Sequence, residues 1–182
     1  MDTYAIALYF DKVSAGTLQG IINNVALISN NNYMIDVNIP PHITIGSFLS
    51  DEYSGIMTIM EDFVKHLVAF DVEFDKINAF EPRVLFASPI KDAYLMRYNR
   101  LVHDLFSKHF MPADNEYYTP DKWIPHCALA VKLDKAQFKK AMTIQKNIDF
   151  PIIANVQKIA LARCNPYKEI KVWEINRISI SH

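Results

Sequence analysis

The stretch of residues 40–48, which reads PPHITIGSF, decides the fold predicted for this chain. Two adjacent prolines cannot lie within a helix or a central ladder, so they predict an extended entry into the residues that follow. Alternation along the next strand buries Ile43 and Ile45 on one face. The opposite face is predicted to carry His42, Thr44, Gly46 and Phe48. One face of the strand is therefore predicted to be buried in the core, and the other to carry side chains that can take part in binding or catalysis.

A second strand of the same kind lies 84 residues further along, where residues 123–131 read WIPHCALAV. A proline again precedes a histidine, His126, and the residues predicted to be buried are Cys127, Leu129 and Val131. A lone histidine on a strand is usually structural or merely exposed. Two histidines in matched contexts are a stronger signal, because a pseudo-twofold relation would turn both imidazoles toward one crevice.

The remaining apolar patterns predict further strands over residues 3–10, 70–80, 84–89, 150–162 and 170–180. The first helix is predicted to start at Ser14 or Thr17 and to end at the asparagines 30–32, and the second to start at Ser50 or Asp51. A third helix is predicted over residues 92–110, and Asp134 is the expected N-cap of a fourth that runs to residue 145.

Each half of the chain thus follows the order strand, helix, proline–histidine strand, helix, strand. The sequence therefore predicts an α+β fold of two pseudo-symmetric α/β lobes, with antiparallel or mixed sheets, that share a central cleft. Only four glycines occur, and no linker rich in Gly, Ser or Pro separates the halves. Residues 1–182 are therefore expected to form one bilobal domain with approximate repeats 1–88 and 89–182.

Composition limits the classes of function and the compartment. The chain is 51% hydrophobic and carries a net charge of −1, which argues against a broad surface for long nucleic acid but not against a short phosphorylated substrate. The N-terminus lacks a signal-peptide pattern, and no apolar run reaches the roughly 18 residues of a membrane span. With only Cys127 and Cys164, far apart, we expect a cytoplasmic protein with reduced thiols, and a monomer is favoured.

The two histidines suggest acid–base chemistry at phosphorus. Their ordinary pKa near 6.5 allows one ring to be neutral while the other is protonated at physiological pH. A general base and a general acid on opposite sides of one phosphorus atom are what in-line displacement requires. Thr44 shares the face of His42, so its hydroxyl can donate to a phosphoryl oxygen that His42 also reaches.

These residues resemble the 2H phosphoesterase superfamily, which includes the 2′,5′ RNA ligase-like proteins and cyclic nucleotide phosphodiesterases. His42-Ile43-Thr44 matches the family's His-x-Thr/Ser motif, and the resemblance extends over essentially the whole chain. It implies His42 and His126 as catalytic residues, Thr44 as a phosphate ligand, and neither metal nor cofactor. The implied substrate is a cyclic phosphate or a 2′,5′ linkage at an RNA end or in a small nucleotide. The direction of reaction and the assignment of acid and base stay open.

The second motif departs from the family pattern, because Ala128 stands where the family carries Thr or Ser. The missing hydrogen bond to a charged group is worth about 1.5–3 kcal/mol, or roughly one to two powers of ten in rate. Lys132, further along the same face, and Tyr167, in the turn before the last strand, are candidate substitutes.

Aromatic and basic residues near the motifs are weaker candidates. Tyr117 and Tyr118, in the predicted loop before the second motif, are expected to contact substrate by stacking on a base, worth about 1–3 kcal/mol. Phe48 and Trp123 are more consistent with core packing. The basic residues expected on solvated helix faces are Lys91, Arg97, Arg100, Lys139 and Lys140.

Three alternative functions remain open at this point. Cys127 could act as a nucleophile beside His126, although adjacent strand residues point to opposite faces. His42 and His126 could instead bind a metal together with Asp or Glu. A catalytically silent RNA- or nucleotide-binding module is the third alternative, for which Ala128 is the main motive.

Overall fold

The computed structural model describes residues 1–90 and 92–176, so Lys91 and the end of the predicted last strand lie outside the described residues. The strands are β1 (Asp2–Phe10), β2 (His42–Ser50), β3 (Phe70–Phe80), β4 (Val84–Pro89), β5 (Met111–Pro112), β6 (Cys127–Ala130), β7 (Ile152–Cys164) and β8 (Tyr167–Glu174). The helices are α1 (Lys12–Ser29), α2 (Tyr33–Asp36), α3 (Ser54–Phe63), α4 (Ala93–Phe106) and α5 (Lys135–Ala141). None of these helices is long and apolar enough to cross a bilayer.

Hydrogen bonding joins the strands in the order β1-β2-β6-β4-β3-β7-β8, and β1 pairs with β7 as well. Six strands therefore form a closed circuit of neighbours. Every ladder between the described strands is antiparallel, and the short β5 pairs with β2. The predicted α+β class with antiparallel sheets is confirmed.

The circuit has two walls with equivalent pairings. We call β1, β2 and β7 the first wall, and β4, β6 and β3 the second wall. Each wall contains one proline–histidine strand, and β2 pairs with β6 where the walls meet. Helix α1, which joins β1 to β2, packs on β6, whereas α4, which joins β4 to β6, packs on β2. The repeats 1–88 and 89–182 remain a prediction, because this interleaved pairing does not by itself set a boundary.

A β-bulge interrupts both proline–histidine strands at the same distance from the histidine. In β2 the partners change from Ala7–Thr44 to Ile6–Gly46, which leaves Ile45 as the extra residue. In β6 they change from Phe86–Ala128 to Leu85–Ala130, which leaves Leu129 as the extra residue. Each extra residue lies three positions after its histidine, and beyond it the alternation of faces is reversed.

The bulges correct the predicted faces of both strands. Phe48 was predicted on the face of His42, but it is fully buried in the core and stacks on Phe106 at 5.4 Å between ring centroids. Gly46 also faces the core, toward Val102 of α4. Conversely, Val131 was predicted to be buried but is only half-buried and lines the cleft described below. Strict alternation fails because a bulge inserts one residue into the period of two.

Helix starts were predicted correctly at two of four positions. Asp92 caps α4, and Asp134 caps α5 in a capping box with Gln137. The predicted caps Ser14 or Thr17 are wrong for α1, because the Asp11 carboxylate accepts the hydrogen bond from the backbone of Ser14.

The other boundaries shift by a few residues. Ser50 and Asp51 were predicted to cap α3, but this helix starts after Tyr53 without a side-chain cap. Helix α4 ends at Phe106 rather than 110, and α5 ends at Ala141 before a 3₁₀ turn at Met142–Asn147. The turn between β7 and β8 lies at residues 165–166, so β8 starts at Tyr167, earlier than predicted. Helix ends fray into 3₁₀ turns and strand ends depend on partners, which explains these differences.

Candidate active site

A cleft of about 980 Å³ opens on the sheet face that carries both histidines. It brings together every residue that the sequence predicted for the site. These residues are His42, Thr44, Tyr117, Tyr118, His126, Ala128, Lys132 and Tyr167. Their chemical roles remain predictions, but their common location is a property of the fold.

Strand pairing sets which of these side chains are neighbours. Ile43 pairs with Cys127 in the antiparallel ladder between β2 and β6. In an antiparallel ladder, the residues on either side of this pair also face each other. His42 therefore lies across from Ala128, and Thr44 lies across from His126. Directly opposed side chains have Cβ atoms about 4.5–5.5 Å apart. The hydroxyl absent at Ala128 is therefore the one that would stand beside His42.

Both imidazoles are held by the same backbone contact. The Nδ1 of His42 donates to the carbonyl of Pro40 at 2.8 Å, and the Nδ1 of His126 donates to the carbonyl of Ile124 at 2.7 Å. In each case one proline separates the histidine from its acceptor. Because Nδ1 carries the hydrogen, the neutral tautomer leaves the Nε2 lone pair as the basic position for a substrate.

Burial favours the neutral form of both histidines. It lowers the pKa of His42 and of His126, and the carbonyl hydrogen bonds offset only part of this effect. The proximity of His42 lowers the pKa of His126 further, since two positive charges would repel across the cleft. The ring of Phe80 stands edge-on to His126 at 5.1 Å between centroids and contributes to this apolar setting.

The loop before β6 is anchored beside Thr44. The buried Asn99 of α4 donates to the carbonyls of Ile45 at 2.9 Å and Tyr118 at 2.7 Å, which joins the loop to β2. Burial raises the pKa of Tyr118 to about 12, and a hydrogen bond with Thr44 offsets part of that rise. Trp123 is buried and donates from its indole to the carbonyl of Thr44 at 3.1 Å, in agreement with its predicted role in packing.

The two candidate substitutes for the missing hydroxyl have different surroundings. The ammonium of Lys132 lies 4.0 Å from the centroid of the Tyr33 ring, a cation–π contact at the second wall. The hydroxyl of Tyr167 lies 3.2 Å from that of Tyr9, and Tyr9 pairs with His42 in the ladder between β1 and β2. Tyr167 therefore belongs to a pair of hydroxyls that flanks His42 on the side away from Ala128.

Several residues that line the cleft were missed by sequence reasoning, among them Tyr9, Ser47, Phe80 and Asp114. Tyr9 was not singled out because it lies in a strand whose sequence is almost continuously apolar. Ala5, Ala7 and Tyr9 do share a face by alternation, so this signal was present. Ser47 reaches the cleft only because of the bulge at Ile45. Pairing and loop geometry bring in Phe80 and Asp114, which no local pattern marks.

Two of the alternative chemistries fit the geometry poorly. The Cys127 thiol is completely buried on the core side of β6, and burial raises its pKa to about 12. It therefore has neither the access nor the ionisation of a nucleophile. Within residues 1–90 and 92–176, no three side chains of His, Cys, Asp and Glu lie close enough together to hold a metal ion.

A two-walled antiparallel fold with one proline–histidine strand in each wall defines the class of protein. Residues 26–166 match the family model of the 2′-5′ RNA ligase superfamily, and the chain belongs to that family. The resemblance to 2H phosphoesterases is thereby confirmed. A search among curated protein sequences found no match.

Solved structures with the same fold share little sequence with this chain. A crystal structure described as a phosphoesterase has a TM-score of 0.61 at 12% identity and covers 97% of this chain and 99% of its own. LigT of E. coli, crystallised with 3′-AMP, has a TM-score of 0.61 at 11% identity, with 96% and 98% covered. TT0787 of Thermus thermophilus has a TM-score of 0.59 at 13% identity, with 97% and 99% covered. At such identities the likeness shows the fold alone.

Proposed function

We propose that this protein is a phosphodiesterase that acts on a cyclic phosphate or a 2′,5′-phosphodiester of an RNA end or a small nucleotide, without a metal ion. The observation that carries this proposal is the matched pair of histidines, each held by Nδ1 and each lining one cleft. Membership in the 2′-5′ RNA ligase superfamily supports phosphodiester chemistry. The fold is also that of E. coli LigT, which was crystallised with 3′-AMP and with ATP.

In hydrolysis, the Nε2 of one histidine takes a proton from water while the water oxygen forms a bond to phosphorus. The Nε2–H of the other histidine gives its proton to the ribose oxygen whose bond to phosphorus breaks. The first ring ends protonated and the second ends neutral, and exchange with solvent restores the starting state. In the ligation direction, a ribose hydroxyl takes the place of water.

Substrate binding favours uptake from solvent of the proton that the general acid needs. With both pKa values lowered by burial, the free histidines are mostly neutral at physiological pH. A bound phosphodiester anion attracts positive charge and so raises the pKa of the nearest imidazole. One histidine then becomes the general acid while its partner stays a general base.

Other polar groups of the cleft are proposed to orient the phosphate and base. Thr44 donates to a phosphoryl oxygen from beside His126, and the Tyr9–Tyr167 hydroxyl pair replaces the donor missing at Ala128. Lys132 adds a positive charge at the second wall, next to the Tyr33 ring. Tyr117, which is exposed, and Tyr118 offer rings for stacking on a base.

The decisive test incubates the purified protein in EDTA with nucleoside 2′,3′-cyclic phosphates and short 2′,5′-linked oligonucleotides. His42→Ala and His126→Ala should each reduce turnover by about 10²–10⁴-fold, the usual contribution of general acid–base catalysis. Affinity for a nucleoside 3′-monophosphate, measured by calorimetry, should change little. His66→Ala is the matched control, because His66 is exposed on a surface turn. Equal turnover in all four proteins would refute the two-histidine mechanism.

The second candidate function is nucleotide binding without catalysis, and the position of Ala128 across from His42 is the observation that favours it. Its signature would be nucleotide binding by the wild type without turnover of any diester. Turnover that appears only in Ala128→Thr would then identify a silenced enzyme.

A further inference from the structure

The two walls of the cleft carry different side chains at equivalent positions. Beyond the bulges, Ser47 of the first wall corresponds to Val131 of the second. The neighbour of Ser47 on β1 is Ala5, whereas Val84 of β4 lies beside Val131, one step past the pair Leu85–Ala130. The outer strand of each wall, β7 in the first and β3 in the second, differs in side-chain size in the same way.

Ala162 of β7 pairs with Ala5, whereas Phe80 of β3 pairs with Val84. One position before the bulge, Thr44 pairs with Ala7, whereas Ala128 pairs with Phe86. The first wall thus combines small residues with hydroxyls, and the second wall combines bulky apolar residues with few polar groups.

The smaller side chains of the first wall take up less of the cleft than the bulky side chains of the second wall. Ala5, Ala7 and Ala162 line the cleft from the paired strands β1 and β7 with no side chain larger than a methyl group, and we call these three residues the alanine floor. Phe80 and Val84 occupy the matching space on the second wall. An apolar floor without bulky side chains suits a planar ring that packs through its face.

Asp114 lies at the edge of the alanine floor. Its carboxylate accepts a hydrogen bond from the Ser47 hydroxyl at 2.6 Å, and it lies close enough to Tyr118 and Cys164 to raise the pKa of both. Among the ion pairs of residues 1–90 and 92–176, none involves Asp114. A carboxylate is acceptor-only when ionised, so it repels phosphate and favours N–H donors.

The backbone that presents this carboxylate is unusual. Asp114, Asn115 and Glu116 have φ values of 53°, 53° and 62°, a run of left-handed residues without glycine. Such conformations cost on the order of 1 kcal/mol each and persist where the surrounding structure or a function requires them. The backbone N–H of Ala113 donates to the carbonyl of Ser47 at 2.9 Å and holds the start of the loop against β2.

We propose that the alanine floor is the base subsite of the substrate and that Asp114 selects the base. Guanine presents two adjacent N–H donors to a carboxylate and should bind best, while adenine and cytosine present one amino group. Uracil, whose single N–H lies between two carbonyls, should bind worst.

The dimensions of the cleft agree with this assignment. Thr44 pairs with Ala7 and Ser47 pairs with Ala5, so two residues of β1 separate them, which at 3.3 Å per residue is roughly 7 Å. The Asp114 carboxylate is hydrogen-bonded to Ser47, at the end of this span away from His42. The phosphate would then lie between the histidines, away from the carboxylate. This inference rests on the proposed site but not on turnover, because it concerns recognition.

The test is a calorimetric titration of the full chain with the four nucleoside 3′-monophosphates, in the wild type, Asp114→Asn and Asp121→Asn. Asparagine retains an oxygen that can accept from Ser47, so Asp114→Asn should keep the loop in place. Asp121→Asn removes the same charge from the same loop at an exposed residue outside the cleft lining.

We expect the wild type and Asp121→Asn to bind the guanosine nucleotide about tenfold to a hundredfold more tightly than the uridine nucleotide, the value of one charged hydrogen bond. Asp114→Asn should lose most of this preference, because an amide also donates to the carbonyls of uracil. Equal binding of all four nucleotides by the wild type, a preference that survives in Asp114→Asn, or no nucleotide binding would overturn the proposal. A base preference without diester turnover would instead count only against the proposed catalysis.

Discussion

At the scale of single residues, the site depends on how each histidine is held rather than on the histidines alone. The same Nδ1 contact to the carbonyl two residues earlier recurs in both strands, with a proline between donor and acceptor. Proline restricts the backbone at this point, so each imidazole is oriented by local chain geometry. Burial lowers the pKa of both rings, and the proximity of His42 lowers the pKa of His126 further.

The lowered histidine pKa values predict an acidic optimum for kcat/KM. The competent free enzyme carries one proton on the histidine pair, and both pKa values lie below the ordinary 6.5. Above 6.5 this singly protonated form decreases, so kcat/KM should decrease about tenfold per pH unit on the alkaline side. Initial rates at low substrate from pH 4.5 to 9, with folding checked by circular dichroism, give the profile. An optimum at or above pH 7.5 would contradict the lowered pKa values of His42 and His126.

A double-mutant cycle tests whether Tyr167 replaces the hydroxyl missing at Ala128. Tyr167→Phe should lower kcat/KM by about tenfold to a hundredfold, while Ala128→Thr should raise it by a similar factor. In Ala128→Thr, the change Tyr167→Phe should cost much less, because the threonine supplies a donor beside His42. Tyr33→Phe is the control, because it removes a tyrosine hydroxyl but keeps the ring that contacts Lys132. Strictly additive effects would show that the two hydroxyls act independently.

At the scale of elements, the two bulges decide which side chains enter the cleft. The bulge at Ile45 turns Ser47 toward the cleft and Phe48 into the core, against α4. Close packing of β2 on α4 also requires Gly46, where a Cβ atom would lie 2.5 Å from the Cγ1 of Val102. The position therefore tolerates no side chain unless Val102 or the helix that carries it shifts.

Alanine at Gly46 should lower the free energy of unfolding by about 1–3 kcal/mol through overpacking. Gly20 is the matched control, because it lies within α1 and an added Cβ would have no neighbour within 4 Å. Gly20→Ala should raise the free energy of unfolding by about 0.5–1 kcal/mol, as a helix interior favours alanine. Urea titrations of the three proteins measure both shifts. Equal stability of Gly46→Ala and the wild type would mean that α4 is free to move.

At the scale of the whole molecule, closure of the strand circuit couples the two walls. Each wall completes the hydrogen bonding of the other, through β2–β6 and through β7, which pairs with both β1 and β3. Neither wall can separate without breaking ladders of the other. The hydrophobic core is correspondingly continuous across both walls.

This coupling predicts one cooperative unfolding transition. Trp123 lies beside the second proline–histidine strand, and Trp173 lies on β8 at the far end of the sheet. Fluorescence of Trp123→Phe and Trp173→Phe therefore reports different regions of the molecule. Each protein's urea midpoint by fluorescence should coincide with its own midpoint by circular dichroism. Distinct transitions by the two probes would show that the walls unfold separately.

The sequence by itself determined the α+β class, the two proline–histidine strands and the eight predicted residues that line one cleft. These features follow from local rules: proline restricts its neighbours, apolar periodicity marks strands and helices, and a repeated motif implies a repeated environment. Asp134 was likewise readable as a helix cap, because capping involves residues close in sequence.

Only the tertiary structure decided which residues stand beside the histidines. The bulges at Ile45 and Leu129 arise from pairing with β1 and β4, partners that lie far away in sequence, so no local period could reveal them. The meeting of Tyr9 with Tyr167 depends on β7 and β8 returning to β1, and that of Ser47 with Asp114 on how the loop packs against β2. Long-range pairing therefore determined the polar half of the cleft, where substrate recognition is proposed.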